Sequence, residues 1–248
     1  MSKVLRRLLG AAIFLLATQL GPGGPGRLAA QVGHDPATSP FRDIRSSVFI
    51  TAVGGYFMGD GGQVGAAPHD GPVGGIRMSF LANRSLQLSA GVLYGSLTRN
   101  LIDPNKTPAE QVTGTATHGT WWIEAALQFN FTGNKSWHGL APFAGAATGV
   151  TITETVPEDP GGFRMGTKFV LAPMLGTRYF IAGDVHLQAD IRFQFWQISY
   201  PSTYLQEPFE DPGTPSNPNA VIPTGRPKDW SVTPWVNVGL GFPFRLPF

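Results

Sequence analysis

The 248-residue sequence predicts an all-β fold, an eight-stranded antiparallel up-and-down transmembrane β-barrel. Three observations predict it. Residues 119–131 alternate strictly, with Trp121, Ile123, Ala125, Leu127, Phe129 and Phe131 on one face and Trp122, Glu124, Ala126, Gln128 and Asn130 on the other. Residues 184–196 repeat the device, setting Val185, Leu187, Ala189, Ile191, Phe193 and Phe195 against His186, Gln188, Asp190, Arg192, Gln194 and Trp196. A period of two belongs to a strand, whose successive side chains point to opposite faces; a helix would repeat at about 3.6 residues. Third, the connections alternate in length, as they do in a membrane barrel with both termini on the short-turn side.

Taken in chain order, residues 1–30 read as an export signal. Lys3, Arg6 and Arg7 precede the apolar run Leu8–Leu20, and Leu28, Ala29 and Ala30 offer a cleavage site before Gln31. Residues 31–45 then form a short periplasmic segment, and 46–248 the barrel. Strands are expected at 46–58, 73–81, 85–97, 119–131, 139–150, 167–180, 184–196 and 230–245. Short turns fall at Asn83–Arg84, Thr132–Ser136 and Ala182–Asp184, rich in the Gly, Asn, Asp and Ser that tight reversals use. Long connections fall at 59–72, 98–118, 151–166 and 198–229. The last of these carries Pro201, Pro208, Pro212, Pro215, Pro218, Pro223 and Pro227, so it cannot form a regular ladder and is expected to be extended or mobile. A hairpin within 202–224 would instead raise the strand count to ten.

Which face is apolar decides the solvent. A ligand-carrying soluble barrel is apolar inside, whereas here the polar face carries Glu124, Asp190 and Arg192, too many charges for a small-ligand cavity. The apolar face is nearly free of charge, and Trp121, Tyr179, Trp230, Phe242 and Phe244 lie near strand ends, as an interfacial girdle requires. Apolar-out is the better fit. Beyond the signal no run approaches the roughly 18 apolar residues of a membrane helix, so any crossing uses strands. Without Lys3, Arg6, Arg7 and Arg27 the processed chain has fourteen basic residues against sixteen acidic, which gives no support to nucleic-acid binding. The absence of cysteine excludes disulfides, a lipidated cysteine and thiolate metal sites.

The run Asn237-Val238-Gly239-Leu240-Gly241-Phe242-Pro243-Phe244 resembles the last-strand insertion signal of outer-membrane barrels, with Phe244 or Phe248 as the aromatic that is read. The segments Ala141–Ala146 and Leu175–Phe180, the latter followed by the Gly183–Asp184 turn, resemble the small outer-membrane β-barrel superfamily that includes the transmembrane domain of outer membrane protein A and outer membrane protein W. The resemblance implies a bacterial outer-membrane location with both termini periplasmic. It also implies transit with periplasmic chaperones and the barrel-insertion machinery, and final contact with lipid and lipopolysaccharide. No peptidoglycan-binding domain is expected after the barrel.

Turning the wet faces inward gives a lumen lined by Arg77, Ser79, Gln87, Ser89, Glu124, Gln128, Asn130, Lys168, Arg178, His186, Gln188, Asp190, Arg192, Gln194, Thr233 and Asn237. An eight-stranded interior is only just wide enough for side chains. Buried charge demands pairing, so Arg77, Glu124, Gln128, Lys168, Arg178, Asp190 and Arg192 are expected to form a polar network that plugs the barrel. The alternative is a narrow passive channel, biased to anions by four cations facing two carboxylates. Lipid A chemistry lacks a motif: His118, His138 and His186 are not followed by a serine two residues on, and His69-Asp70 has no nucleophile beside it. His34, His69 and His118 lack metal-ligand spacing, so no metal or other cofactor is expected. Asp60, Asp70, Asp103, Glu110, Glu154, Glu158, Asp159, Glu207, Glu210, Asp211 and Asp229 predict an acidic, solvated long-loop face. The function expected is that of a non-enzymatic surface barrel.

Overall fold

The computed structural model describes residues 39–209, 211–223 and 225–244. The expected signal, His34, Glu210 and the stretch Arg245–Phe248 lie outside them. Ten strands are described: β1 (Phe41–Asp43), β2 (Val48–Asp60), β3 (His69–Leu81), β4 (Leu86–Ile102), β5 (Val112–Asn130), β6 (Lys135–Trp137), β7 (Leu140–Thr153), β8 (Thr167–Ala182), β9 (Val185–Ser199) and β10 (Lys228–Pro243). Eight of them close a barrel in the order β2-β3-β4-β5-β7-β8-β9-β10, with β10 returning to β2. Every ladder is antiparallel. Closure removes the unpaired strand edges that an apolar medium cannot satisfy.

Three sequence expectations change. The count of ten strands does not come from a hairpin within 202–224; among its described residues that loop holds a 3-10 turn, Ser202–Leu205, and an isolated bridge between Thr214 and Asn217. The two extra strands lie at the short-turn end, where β1 pairs β6 and places part of the 31–45 segment in the sheet. The connection expected as a turn at Thr132–Ser136 therefore contains a strand. β6 reverses into β7 through His138 and Gly139, both at positive φ (48° and 84°), a backbone that glycine adopts without strain.

The loop expected to be mobile is instead packed. Tyr200, Tyr204 and Ile222 are buried in the same cluster as wall residues Leu97 and Trp122, and the Ile222 amide donates to the Tyr204 carbonyl at 2.8 Å. Proline prevents a ladder, but the apolar residues between the prolines have an open barrel mouth to fill.

The register can be followed around the wall. Leu140 on β7 pairs with Tyr179, and the row continues through Leu187, Leu240, Ala52, Ile76, Val92 and Ile123. It returns to β7 at Val150, ten residues beyond its start. At about 3.3 Å per residue and about 4.8 Å per strand, that offset tilts the strands by about 40°. Every member of the row points outward and is exposed, Ile76 at 61% and Ile123 at 48% among them. Along β5 and the residue that follows it, exposed apolar residues run from Trp121 to Phe131, which on tilted strands makes a band about 25 Å tall, the height of the apolar band on a membrane barrel.

Candidate functional site

The site is the barrel interior. Alternation sends Arg77 of β3, Glu124 of β5 and Asp190 and Arg192 of β9 inward, and all four are buried. Arg77 and Glu124 stand on one rung with Gly91 of β4 between them. The missing side chain at Gly91 lets the guanidinium reach across. Arg77 Nε donates to Glu124 Oε1 at 3.2 Å, and Arg77 Nη1 lies 3.6 Å from Asp190 Oδ1. Arg192 Nη1 bonds both Glu124 oxygens, at 2.7 and 2.9 Å, while its Nε bonds Asp190 Oδ2 at 2.9 Å. Gln188 and Asn237 donate the remaining bonds to Asp190, at 3.0 and 2.8 Å. Two carboxylates and two guanidiniums thus form one closed, charge-balanced cluster at mid-barrel.

Toward the short-turn end lies a third guanidinium, Arg178, whose hydrogen-bond partners are amides. It donates to Gln188 Oε1 and Asn130 Oδ1, at 3.2 and 2.8 Å, and to Gln128 Oε1. The Phe143 ring lies 4.3 Å from its central carbon and adds a cation–π contact. Below it His186 sits between the rings of Phe49 and Phe180, each centroid 5.0 Å away.

Toward the long-loop end the interior turns aromatic. Phe57, Trp122, Trp196 and Trp235 point inward and touch ring to ring, with Phe57 between 5.5 and 6.1 Å from each of the three indoles. Trp122 Nε1 donates to Gln194 Oε1 at 2.9 Å, so this indole is buried with its polar atom satisfied. Gly95 makes the room; a Cβ there would meet the Trp122 ring at 3.0 Å.

Above the aromatic layer the long loops fold into the mouth. Arg99 of β4 pairs with Asp159 at 2.6 Å and lies 5.3 Å from the centroid of the Phe163 ring. Thr203 Oγ1 donates to the Gly161 carbonyl at 3.0 Å, tying the last loop to the one before it. The Gln63 amide donates to the Tyr200 hydroxyl at 2.8 Å, which brings in the first loop. Burial pushes the Tyr204 phenol above its ordinary range, and nearby Asp159 pushes the same way. It stays neutral at physiological pH.

Of the residues expected to form the network, Arg77, Glu124, Asp190 and Arg192 meet at mid-barrel and Gln128 joins Arg178. Lys168 does not join them. It shares their face of β8 but lies at the mouth, where its Nζ donates to Ser199 Oγ at 3.1 Å and solvent still reaches it. Within the expected insertion signal, Asn237 is inward on Asp190, Gly239 packs against Ala52 and Thr51 of β2, and Phe242 and Phe244 are exposed. Asp159, expected among solvated loop carboxylates, is buried because Arg99 needs a counter-charge there. Sequence reasoning passed over the aromatic layer and the Arg99–Asp159 pair. The first was readable: Trp122 and Trp196 stand on the wet faces of their strands, where an indole has no business unless something dry lies opposite.

No family model and no curated protein matches the sequence. Among solved structures the chain is similar to several outer-membrane proteins. Neisserial surface protein A is 13% identical over 83% of this chain and 98% of its own, with a TM-score of 0.46. The outer membrane protein OprG of Pseudomonas aeruginosa is 12% identical over 82% of this chain and 99% of its own, with a TM-score of 0.48. The N-terminal β-barrel domain of Pseudomonas aeruginosa OprF is 12% identical over 79% and 98%, at a TM-score of 0.40.

Proposed function

We propose that the protein is a non-enzymatic bacterial outer-membrane barrel that contributes to the cell surface and envelope, with a lumen plugged by its own side chains. One observation carries the reading: the exposed wall is apolar while the buried interior holds Arg77, Glu124, Asp190 and Arg192 in a closed ion cluster, the inverse of a water-soluble protein. The aromatic layer and the loops packed over it support the plug. On this reading both termini face the periplasm, and the partners are lipid and lipopolysaccharide. Periplasmic chaperones and the barrel-insertion machinery handle the chain in transit. The test is single-channel recording of the refolded barrel in a planar bilayer. A silent trace is expected; reproducible conductance steps that shift in Arg192→Ala would overturn the plug.

A second reading, a narrow passive channel with a bias to anions, draws on Arg178. Its guanidinium is buried, and its hydrogen bonds go to amide oxygens and not to a carboxylate, which leaves positive charge in the lumen. The same recordings decide it by the sign of the reversal potential in a salt gradient. Lipid A modification is disfavoured by histidine placement. His118 and His186 are buried among inward-facing residues, and His69 Nε2 lies 2.8 Å from the Gly65 carbonyl. Lipid A of altered mass that depends on expression of this protein would restore that reading.

A further inference from the structure

The outward row that climbs the barrel wall also runs the other way, off the barrel. From Leu140 it passes to Trp137 of β6 and then to Phe41 of β1, which pair directly with one another. Both aromatics are exposed, at 46% and 47%, on the face that continues the lipid-facing wall. The ladder holding them is tied at both ends: the His138 amide donates to the Pro40 carbonyl at 2.9 Å and the Ile44 amide to the Asn134 carbonyl at 2.9 Å. The Arg45 and Ser46 amides then bond the Asp184 carboxylate in the turn between β8 and β9, at 3.3 and 2.7 Å. This foot is therefore fixed to the barrel at two places.

Its height follows from the tilt. The row rises from β7 through β8, so it descends from β7 through β6 to β1. Each step of about 4.8 Å on strands tilted by about 40° lowers it by about 3 Å. Trp137 lies about 3 Å and Phe41 about 6 Å below Leu140, itself at the foot of β7 and exposed. A polar headgroup layer is about 5–7 Å deep on each side of the hydrocarbon. With Leu140 at the edge of the hydrocarbon both rings fall within that layer, where the amphipathic indole of Trp137 is favoured and Phe41 adds apolar area beside it. The charge around them fits the same surroundings. Among the described residues at this end, exposed Arg42, Arg45, Arg84 and Lys135 outnumber Asp43 and Asp184, and Lys135 stands 3.7 Å from Asp43 in an exposed pair worth little by itself.

We propose that β1 and β6 form an interfacial foot that seats in the phospholipid headgroup layer on the short-turn side, with Phe41 and Trp137 as its ring anchors and the surrounding cations facing lipid phosphates. The inference rests on the membrane reading of the barrel wall. It goes beyond it by assigning a lipid contact to a segment outside the eight-stranded cylinder.

The chain is free of cysteine, so single labels can be placed directly. Bimane is attached in turn to Phe41→Cys, Trp137→Cys, Tyr179→Cys and Leu127→Cys, each refolded into vesicles of phosphatidylcholine and phosphatidylglycerol. Quenching is compared for a nitroxide on the lipid headgroup, a nitroxide deep on the acyl chain, and iodide in the water. The expected result is headgroup quenching at positions 41 and 137 no weaker than that at 179, which stands higher on the same row, with acyl-chain quenching at 127. Iodide quenching alone at 41 and 137, with 179 and 127 still in lipid, would overturn the foot and leave the barrel reading intact. Iodide quenching at all four would remove the membrane reading itself. Protection of 41 and 137 from every quencher would replace lipid with a second copy of the chain or another protein, and would also overturn the proposal.

Discussion

At the residue scale, the informative side chains are those whose chemistry contradicts their surroundings. Glu124 holds two guanidiniums in the buried barrel interior, and Asp190 holds the same two with help from Gln188 and Asn237. Such a cluster adds little stability over an apolar core of equal volume, yet breaking it is costly because charges are stranded. Glu124→Ala leaves Arg77 and Arg192 facing Asp190 alone. It is expected to lower stability by about 3–5 kcal/mol, measured by urea unfolding of the refolded barrel in lipid. A loss no larger than that of an ordinary surface substitution would show that water already reaches the cluster. The network's membership was legible from alternation, because a period of two assigns every residue of a strand to one face. The failure at Lys168 is a matter of height, since alternation gives the face of a strand and not how far along the lumen the residue stands.

At the element scale, the eight wall strands lie where alternation put them, although β4 and β5 stay paired through Ile102 and Val112 inside the expected connection 98–118; the loops departed further. Strand residues answer to a local rule, whereas Tyr200, Tyr204, Phe163 and Ala66 are placed by a cavity built from distant strands. The prolines told correctly against a ladder in the last loop and said nothing of where its apolar residues would go. β1 and β6 were missed because three residues are too few for a pattern. The loop between β7 and β8 is held by Arg99, so Arg99→Ala should free it. Arg164 in that loop is exposed but framed by buried Phe163 and Met165. Trypsin is expected to cleave after Arg164 much faster in the variant than in the parent, read as two fragments on a denaturing gel. An unchanged rate would show that the aromatic contacts hold the loop without the ion pair.

At the scale of the whole molecule, the decisive property is which surface is dry. Leu127 is 51% exposed near the middle of the band on β5. In water, Leu127→Arg would change stability by less than about 0.5 kcal/mol, as surface substitutions do. At the bilayer midplane the same change is expected to cost about 2–4 kcal/mol. Comparing unfolding of parent and variant in lipid vesicles separates the two cases. The inversion is legible in the strand sequences, which set charges on the wet face and bare alkyl and aromatic side chains on the other. Harder to read was the division of the interior into a charged middle and an aromatic outer half, because both fall on the same face of the same strands.

The ladder that closes the barrel joins β10 to β2, pairing Trp235 with Phe57 and Phe242 with Ile50 across almost the full described chain. Contacts so far apart in sequence form late, since the chain between them must be ordered before they return any free energy. Until β10 arrives, β9 and β2 are raw edges at the ends of an open, greasy ribbon, each able to pair with the same edge of a neighbouring copy. Timing is thus built into the topology: a chain stopped short of β10 is a polymerisation seed, and the last strand converts a sticky intermediate into an inert cylinder.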